Sequence, residues 1–387
     1  MSQTTDQWHE ASLAEAASPD APIGYGIVQV GPYDRDGVPV LAIRDLLSPS
    51  EHSLHRSSRK IEAQYRRSRV RGGDVLISVK GTTGRVGIVP AGFAGNISRD
   101  VARVRLRDEH DPRYWLHLLR SEHAQQTLQI AAVGTTRQEL SIRTLKTLRF
   151  LYPDKAEQAR IAGVLSDVDG LIATLERIIA KKQAIKQGMM QQLLTGETRL
   201  PGFTEPWSER SLGDVARIKT GSRNNQDKKA SGRYPFFVRS ATVERIDSYS
   251  YDCEAILVPG EGGIGSIYHY INGKFEVHQR VYKISDFALD ASGRFVYHFM
   301  HQYFGLHAME NSVKATVDSL RLPTFKNFEL QLPSLDEQQA IVDALDDAEA
   351  ELTLLQGRLE KARGIKTGMM QELLTGRTRL AVAEGAA

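Results

Sequence analysis

Cysteine is almost missing: the 387 residues contain one, Cys253. One thiol supports neither a disulfide framework nor a cysteine-rich zinc site. That scarcity fits a reducing compartment such as the cytoplasm. Long apolar runs are missing too, and nothing approaches the roughly 18 residues of a membrane span. The N-terminus (MSQTTDQWHEASLAEAASPD) is polar and acidic, unlike a signal peptide or a transit sequence. No sign of charge dominates: 50 Lys and Arg oppose 47 Asp and Glu, for a net +3. Such a balance cannot by itself argue for nucleic-acid binding, so the placement of charge matters more. Hydrophobic residues, at 41%, are still numerous enough to fill real cores.

What the chain does have is a repeat. Ile185 to Leu200 reads IKQGMMQQLLTGETRL, and Ile365 to Leu380 reads IKTGMMQELLTGRTRL. Thirteen of sixteen positions agree at an offset of 180 residues, where chance would give about one. The protein is therefore two copies of one unit, which implies an action performed twice.

Each copy of the repeat ends a long helical pattern. Asp154, with Glu157 three residues on, has the spacing of a capping box. Ile161, Val164, Val168, Leu171, Leu175, Ile178, Ile185 and Met189 then recur at intervals of 3 and 4, with Lys182 interrupting once. That is a heptad seam seeking another helix. Ser334 and Glu337 start the second pattern, which continues through Ile341, Leu345, Ala348, Leu352, Leu355, Leu359, Ala362, Ile365 and Met369. Thr195-Gly196 and Thr375-Gly376 close the two helices, with glycine just past the end. Five segments follow: a globular block over 1–153, a central long helix over 154–200, a second block over 201–333, a C-terminal long helix over 334–380, and a tail over 381–387. The expected fold class is α+β. Two globular domains are joined by two long antiparallel coiled-coil helices, with approximate internal two-fold symmetry.

Within the blocks, Asp74 to Val79 (DVLISV) and Glu254 to Val258 (EAILV) read as the same buried strand. Val101 to Leu106 alternates and predicts a strand with Arg103 and Arg105 facing outward. Asp111-Pro112 starts a helix predicted to run to about Val133. Trp8, Ser12 and Leu13 match Trp207, Ser211 and Leu212 at an offset of 199. The first block thus carries about 19 more residues than the second. A basic stretch from Arg56 to Arg71 lies in the region of that excess.

Motifs of catalysis are not found. Gly260, Gly262 and Gly265 satisfy G-x-G-x-x-G, but Ser266 to Ile271 reads as another strand where a dinucleotide site needs a helix. No G-x-x-x-x-G-K-[ST] phosphate loop occurs. There is no Pro-Pro pair, so the Asp/Asn-Pro-Pro-aromatic motif of a DNA amino-methyltransferase is excluded. Pro153-Asp154 lacks the acidic-x-Lys partner of a nuclease motif, and Asp154 is better read as a helix cap. His298 and His301 lack partners at metal-ligand spacing. No catalytic residue and no metal ligand is assigned.

Certain stretches carry a specific resemblance. They are EQARIAGVL from Glu157, EQQAIVDAL from Glu337, both copies of the helix ending in TGxTRL, and W…SLGDV…TG from Trp207 to Gly221. With these the chain resembles the specificity subunit of type I DNA restriction-modification systems. The resemblance covers the layout of the whole chain, and about a third of it strongly in residues. Tyr152-Pro153-Asp154 departs from the several prolines usual there, and Ala14-Glu15-Ala16 stands where Gly-Asp-Val is expected. The resemblance implies that 1–153 and 201–333 are target-recognition domains, each reading half of a split, asymmetric site on double-stranded DNA. It implies that the helices space the domains and dock two methyltransferase (modification) subunits, through which a restriction-translocase subunit joins. The chain itself would carry no cofactor; S-adenosylmethionine, ATP and Mg are expected on the partners only. A cytoplasmic, non-enzymatic protein is implied. The competing readings are a coiled-coil scaffold without DNA readout and a nuclease with an unrecognised site.

Base edges in the major groove suit Arg and Lys at guanine, Asn and Gln at adenine, and Ser or Thr at either. Polar loops between firm strands are therefore the candidate reading heads. In the first block they hold Lys80, Thr82, Thr83, Arg85, Asn96, Ser98, Arg99, Thr135, Thr136, Arg137 and Gln138. In the second they hold Ser222, Arg223, Asn224, Asn225, Arg239, Lys274, Gln279, Arg280, Ser312, Lys314 and Thr316. Arg66, Arg67 and Arg69, in the basic stretch, are candidates for phosphate contact, which needs charge more than fixed geometry. Gly188, Met189, Met190 and Gly368, Met369, Met370 are candidates for partner contact, because glycine permits close approach and methionine packs adaptably. Contact between the two helices alone is the rival reading of those six. Successive major-groove faces lie roughly 10 bp apart, which predicts an unread gap of about 5 to 8 bases between half-sites.

Overall fold

Ser12 and Ser211 begin the same construction in both halves. A short strand (His9–Ser12; Ser208–Ser211) leads into a one-turn helix (Leu13–Ala16; Leu212–Val215). Each strand pairs antiparallel with the strand that precedes a long helix, Ser12 opposite Arg149 and Ser211 opposite Glu329. A computed structural model describes residues 8–47, 54–134, 138–263, 265–310 and 319–380. The chain forms two compact units. Unit 1 is 1–176 together with 358–387, and unit 2 is 177–357. Each unit therefore takes a globular block and one end of both long helices.

In unit 1, one four-stranded sheet runs in the order Gly24–Tyr25, Val101–Val104, Val75–Ser78, Val86–Ile88. A second, ordered His55–Ser57, Val38–Leu41, Ala94–Ile97, Val70–Arg71, contains one parallel pair. Unit 2 has one six-stranded sheet, ordered Arg217–Thr220, Val281–Ser285, Tyr251–Pro259, His269–Val277, Tyr234–Phe237, Glu244–Ile246. Parallel pairs set Leu41 beside Ile97 and Phe237 beside Val277. The first block fits sixteen more residues between those points, and the basic stretch is among them.

Two strand and helix expectations need correction. All four residues of Val101–Val104 are buried, and Arg103 is only 4% exposed, not outward-facing. Its guanidinium donates to the Arg69 and Pro22 carbonyls, which explains how a charge is tolerated inside. The helix expected from Asp111 to Val133 is two helices, Pro112–Arg120 and Glu122–Ala131. Ser121 breaks it by adopting extended backbone and accepting from the Ala124 amide, so that it caps the second helix. The equivalent helix in unit 2, Gly293–Glu310, is continuous.

Both long helices span 39 residues, Lys155–Leu193 and Leu335–Leu373, about 58 Å at 1.5 Å per residue. Within each unit their ends are antiparallel, as ion pairs record. Lys366 meets Asp169 at 2.6 Å and Arg363 meets Glu176 at 2.8 Å in unit 1. Lys182 meets Glu351 at 2.7 Å in unit 2, where Lys186 also meets Glu349. The heptad seam is not continuous: Leu171, Ile185 and Ile365 are about half exposed. Burial passes from Ile179 to Met190 and from Ala362 to Leu373, eleven residues in each case. A straight helix keeps one face over eleven residues better than over two heptads.

The helix ends belong to the domain cores. Ile161, Leu165 and, from the far end of the chain, Leu373 and Leu374 join Leu13, Ile77 and Trp115 in unit 1. Ile341, Leu345, Leu193 and Leu194 join Leu212, Ile256 and Phe295 in unit 2. Each fully buried Leu contributes about 1.5–3 kcal/mol. The glycines of the repeat fix this docking. Gly196 and Gly376 have φ near +70°, and a Cβ at either would press on an indole, that of Trp207 or Trp8.

The expected capping boxes are only half formed. Asp154 and Ser334 accept from the Glu157 and Glu337 amides at 2.8 and 3.4 Å. The glutamate side chains do not return to the caps. Glu157, 1% exposed, binds Arg379, and Glu337, also 1% exposed, binds Arg199 at 2.5 and 2.6 Å. Each TGxTRL arginine thus latches the start of the other long helix. The adjacent Gln158 and Gln338 are fully buried and bridge their helix to the block, accepting from the Asp111 and Ser292 amides respectively.

A buried histidine stands at the same junction in each unit. His117 lies 3.3 Å from Ser166 Oγ and 3.9 Å from Asp169. His298 lies 3.0 Å from Asp346, which also holds Arg294 at 2.8 Å. Burial pushes both imidazoles down to about 4. The folded state therefore favours neutral rings, so the stability they allow is present above the unfolded value of about 6.5 and is lost as pH falls toward 4. At pH 5 each ring should cost about 2 kcal/mol relative to pH 7. Urea unfolding at pH 7, 6 and 5 should show this decline, flattened in a His117→Gln, His298→Gln variant. An equally steep decline in that variant would place the acid sensitivity elsewhere.

Candidate nucleic-acid interface

In unit 1 the buried strand Val75–Ser78 runs into a loop that Ser78 folds. Its hydroxyl donates to the Thr82 carbonyl at 2.5 Å and accepts from the Arg85 amide at 2.8 Å. The segment Gln138–Glu139 then pairs with Lys80–Gly81. Lys80 meets Glu139 at 3.0 Å, and Thr83 donates to Gln138 at 3.2 Å. Lys80, Thr82, Thr83, Arg85 and Gln138, far apart in sequence, are thereby gathered on one edge. Thr82 and Arg85 are exposed there.

Other candidates are placed differently. Asn96 is fully buried and takes no part in a surface; its side chain binds Ser68 Oγ at 2.7 Å and Glu62 at 3.1 Å. This is a correction, and its cause is that Asn96 serves as the polar centre joining a strand to the basic stretch. Ser98 is half-buried, and Arg99 is exposed beside Asp100 at 3.5 Å. Thr135, Thr136, Arg137, Ser312, Lys314 and Thr316 lie outside the described residues.

The basic stretch divides. Arg69 donates through Nε and Nη2 to the two oxygens of buried Glu62, at 2.6 and 2.7 Å. Arg66 and Arg67 are exposed and line a cavity of about 520 Å³ with Tyr25, Tyr65 and Lys146. Tyr25 and Lys146 are additions that sequence alone does not single out, since each is an isolated residue of its segment.

Unit 2 builds the equivalent edge from other residues. Glu261 pairs in backbone with Ser319, 180 residues after the Gly81 and Glu139 positions. Glu261 receives Arg280 at 2.5 Å and Arg239 at 3.4 Å. Asn225, Arg239 and Glu261 line a cavity of about 440 Å³. Asn224 bonds to Asn225 and Asp227 in a tight turn, while Ser222 and Gln279 are exposed nearby in sequence to Arg223 and Arg280. Arg223 is held by fully buried Glu276 at 3.3 Å, and Lys274 lies 4.8 Å over the Tyr249 ring. Glu261 has no sequence signal as a DNA-site residue, because an anionic side chain is not sought beside phosphates.

The duplicated methionines are shared between the domain cores and the surface, with Met189, Met369 and Met370 partly exposed. Met190 is 5% exposed within the unit 2 core, Met189 packs against that core, and Met369 and Met370 pack against the unit 1 core. Packing into the domain cores is a third role for these residues, beside partner contact and contact between the helices. Gly188 and Gly368 stand in open space, where a Cβ would meet nothing within 4 Å.

The sequence matches the family described as Type I restriction modification DNA specificity domain, over residues 32–187 and again over 204–363. The chain belongs to this family. Two matches, one in each half, agree with the duplicated units. The specificity subunit of type I restriction enzyme EcoBI from Escherichia coli is 27% identical over 199 residues, 50% of this chain. The match spans 42% of that relative's own length. The MjaVIII specificity subunit from Methanocaldococcus jannaschii is 21% identical over 341 residues, covering 79% of each protein. The crystal structure of a type I restriction-modification system S subunit from M. genitalium superposes with a TM-score of 0.68. It covers 96% of this chain and 98% of that one at 16% identity, which shows a shared fold. Among the described residues, no helix of this specificity-domain protein is long and apolar enough to cross a membrane.

Proposed function

We propose that the chain is the non-catalytic DNA-recognition subunit of a type I restriction-modification complex, reading a bipartite, asymmetric site. The observation that carries this is one sheet edge built twice with different chemistry: Lys80, Thr83 and Gln138 in unit 1, Arg239, Arg280 and Glu261 in unit 2. A duplicated scaffold with unlike polar edges suits two different half-sites. Methyltransferase subunits are the partners in this reading, two of them, and a restriction-translocase subunit joins through those. The helix surface around Ile185 and Gly188, repeated around Ile365 and Gly368, supports this. Ile185 and Ile365 are about half exposed, and the Ile-Lys-x-Gly pattern recurs in both copies, as one partner type met twice would require. S-adenosylmethionine, ATP and Mg belong to the partners, and the complex works in the cytoplasm.

The test is to express the full chain with methyltransferase subunits and map methylation across a genome. One asymmetric motif with an unread gap of about 5 to 8 bases is expected, from half-sites roughly one helical turn apart. Methyltransferase binding without motif-dependent methylation would overturn the reading in favour of a scaffold. DNA cleavage by the purified chain alone would overturn it in favour of an enzyme.

A further inference from the structure

Three loops of unit 2 meet at one end of its sheet. Arg239 follows the strand Tyr234–Phe237, Glu261 follows Tyr251–Pro259, and Arg280 precedes Val281–Ser285. The Glu261 and Arg280 loops are anchored by backbone. The Leu320 amide donates to the Gly260 carbonyl at 2.8 Å, and the Gly260 amide to the Arg280 carbonyl at 2.9 Å. The Arg280 amide donates to Nδ1 of buried His278 at 3.0 Å. The two guanidinium groups are about half exposed, whereas the glutamate is about one-fifth exposed.

The geometry points to Glu261 as a positioning residue that orders Arg239 and Arg280 as a pair of guanine readers. This rests on the DNA-recognition reading above. The carboxylate takes Nη1 of Arg280 on Oε1 and Nη1 of Arg239 on Oε2. In each arginine it is Nη1 that the carboxylate engages, and Nε and Nη2 carry no hydrogen bond among the described residues. Two parallel N–H donors on one edge match the O6 and N7 acceptors of guanine in the major groove. Free arginine side chains sample many rotamers, and fixing them costs entropy on binding. A shared carboxylate fixes both beforehand and separates the like charges. Phosphate contact needs no such pairing, since charge alone suffices for it.

The test selects bound sequences from a pool of randomised duplex DNA, using the full chain assembled with methyltransferase subunits. Arg239→Ala and Arg280→Ala identify the positions read by the pair, which should be guanines within one half-site. Glu261→Gln offers one acceptor oxygen instead of two and should weaken the preference at those same guanines roughly tenfold. The other half-site should be unchanged, which also reports that the variant is folded. An unchanged motif in Glu261→Gln would overturn the inference, as would equal weakening of both half-sites or arginine-dependent positions that are not guanine. A wild-type complex that selects no motif would instead sink the DNA-recognition reading itself.

Discussion

Replacing Arg379 with alanine should destabilise unit 1 while leaving unit 2 unaffected. Arg379 lies 222 residues from its partner Glu157, yet their pairing closes the base of the first domain. Glu157 is 1% exposed, so removing the guanidinium leaves a buried carboxylate without its counter-charge. Stranding a buried carboxylate in this way lowers the stability of the domain that holds it. The three tryptophans separate the units: Trp8 and Trp115 report unit 1, and Trp207 reports unit 2. Thermal melts of Arg379→Ala should lose the Trp8 and Trp115 signal early, and hydrogen exchange should rise across unit 1 only. Arg199→Ala should do the converse, because Arg199 holds Glu337 and lies 5.6 Å from the Trp207 ring. Equal destabilisation of both units by either change would show that the latch is not local.

Replacing Arg66 and Arg67 with alanine should weaken binding to every DNA sequence alike. Both line an open basic cavity with Lys146, and neither has the buried carboxylate partner that occupies Arg69. Each phosphate contact contributes about 0.9 to the slope of log affinity against log salt. Loss of two should make that slope shallower by about 2 while leaving the selected motif intact. Titrations from 50 to 200 mM salt would measure it. An unchanged slope would take this surface off the DNA, and an altered motif would make it a reader of bases. Arg69→Ala, by contrast, should act on stability, since it strands Glu62 and the Asn96 network.

Periodicity made the layout legible. The repeat, the two long helices and the matching strands follow from spacings that depend on local geometry alone. What spacing cannot carry is the choice of partner. Glu157 sits where a capping box would use it, and only tertiary proximity to Arg379 reassigns it. Ile185 fits a heptad but is about half exposed, because burial on that helix passes from Ile179 directly to Met190. Asn96 and Arg69 look like free polar residues until the fold shows them bound to Glu62. The loop candidates fared differently for the same reason. Lys80, Thr83 and Gln138 converge because a strand pairing brings 80–81 to 138–139, a long-range contact with no local trace.

The latch also sets an order of assembly on the ribosome. Unit 2 is continuous in sequence, but unit 1 begins at the N-terminus and needs the last helix end, Arg358 onward, to fill its core. Synthesis of the intervening 177–357 takes about 10 to 40 s at 5–20 residues per second. Through that interval the first-made domain waits with Ile161, Leu165 and Glu157 uncovered. They are covered only once Arg379 and the helix end before it have been made, so unit 1 completes its core after the whole of unit 2 has been synthesised.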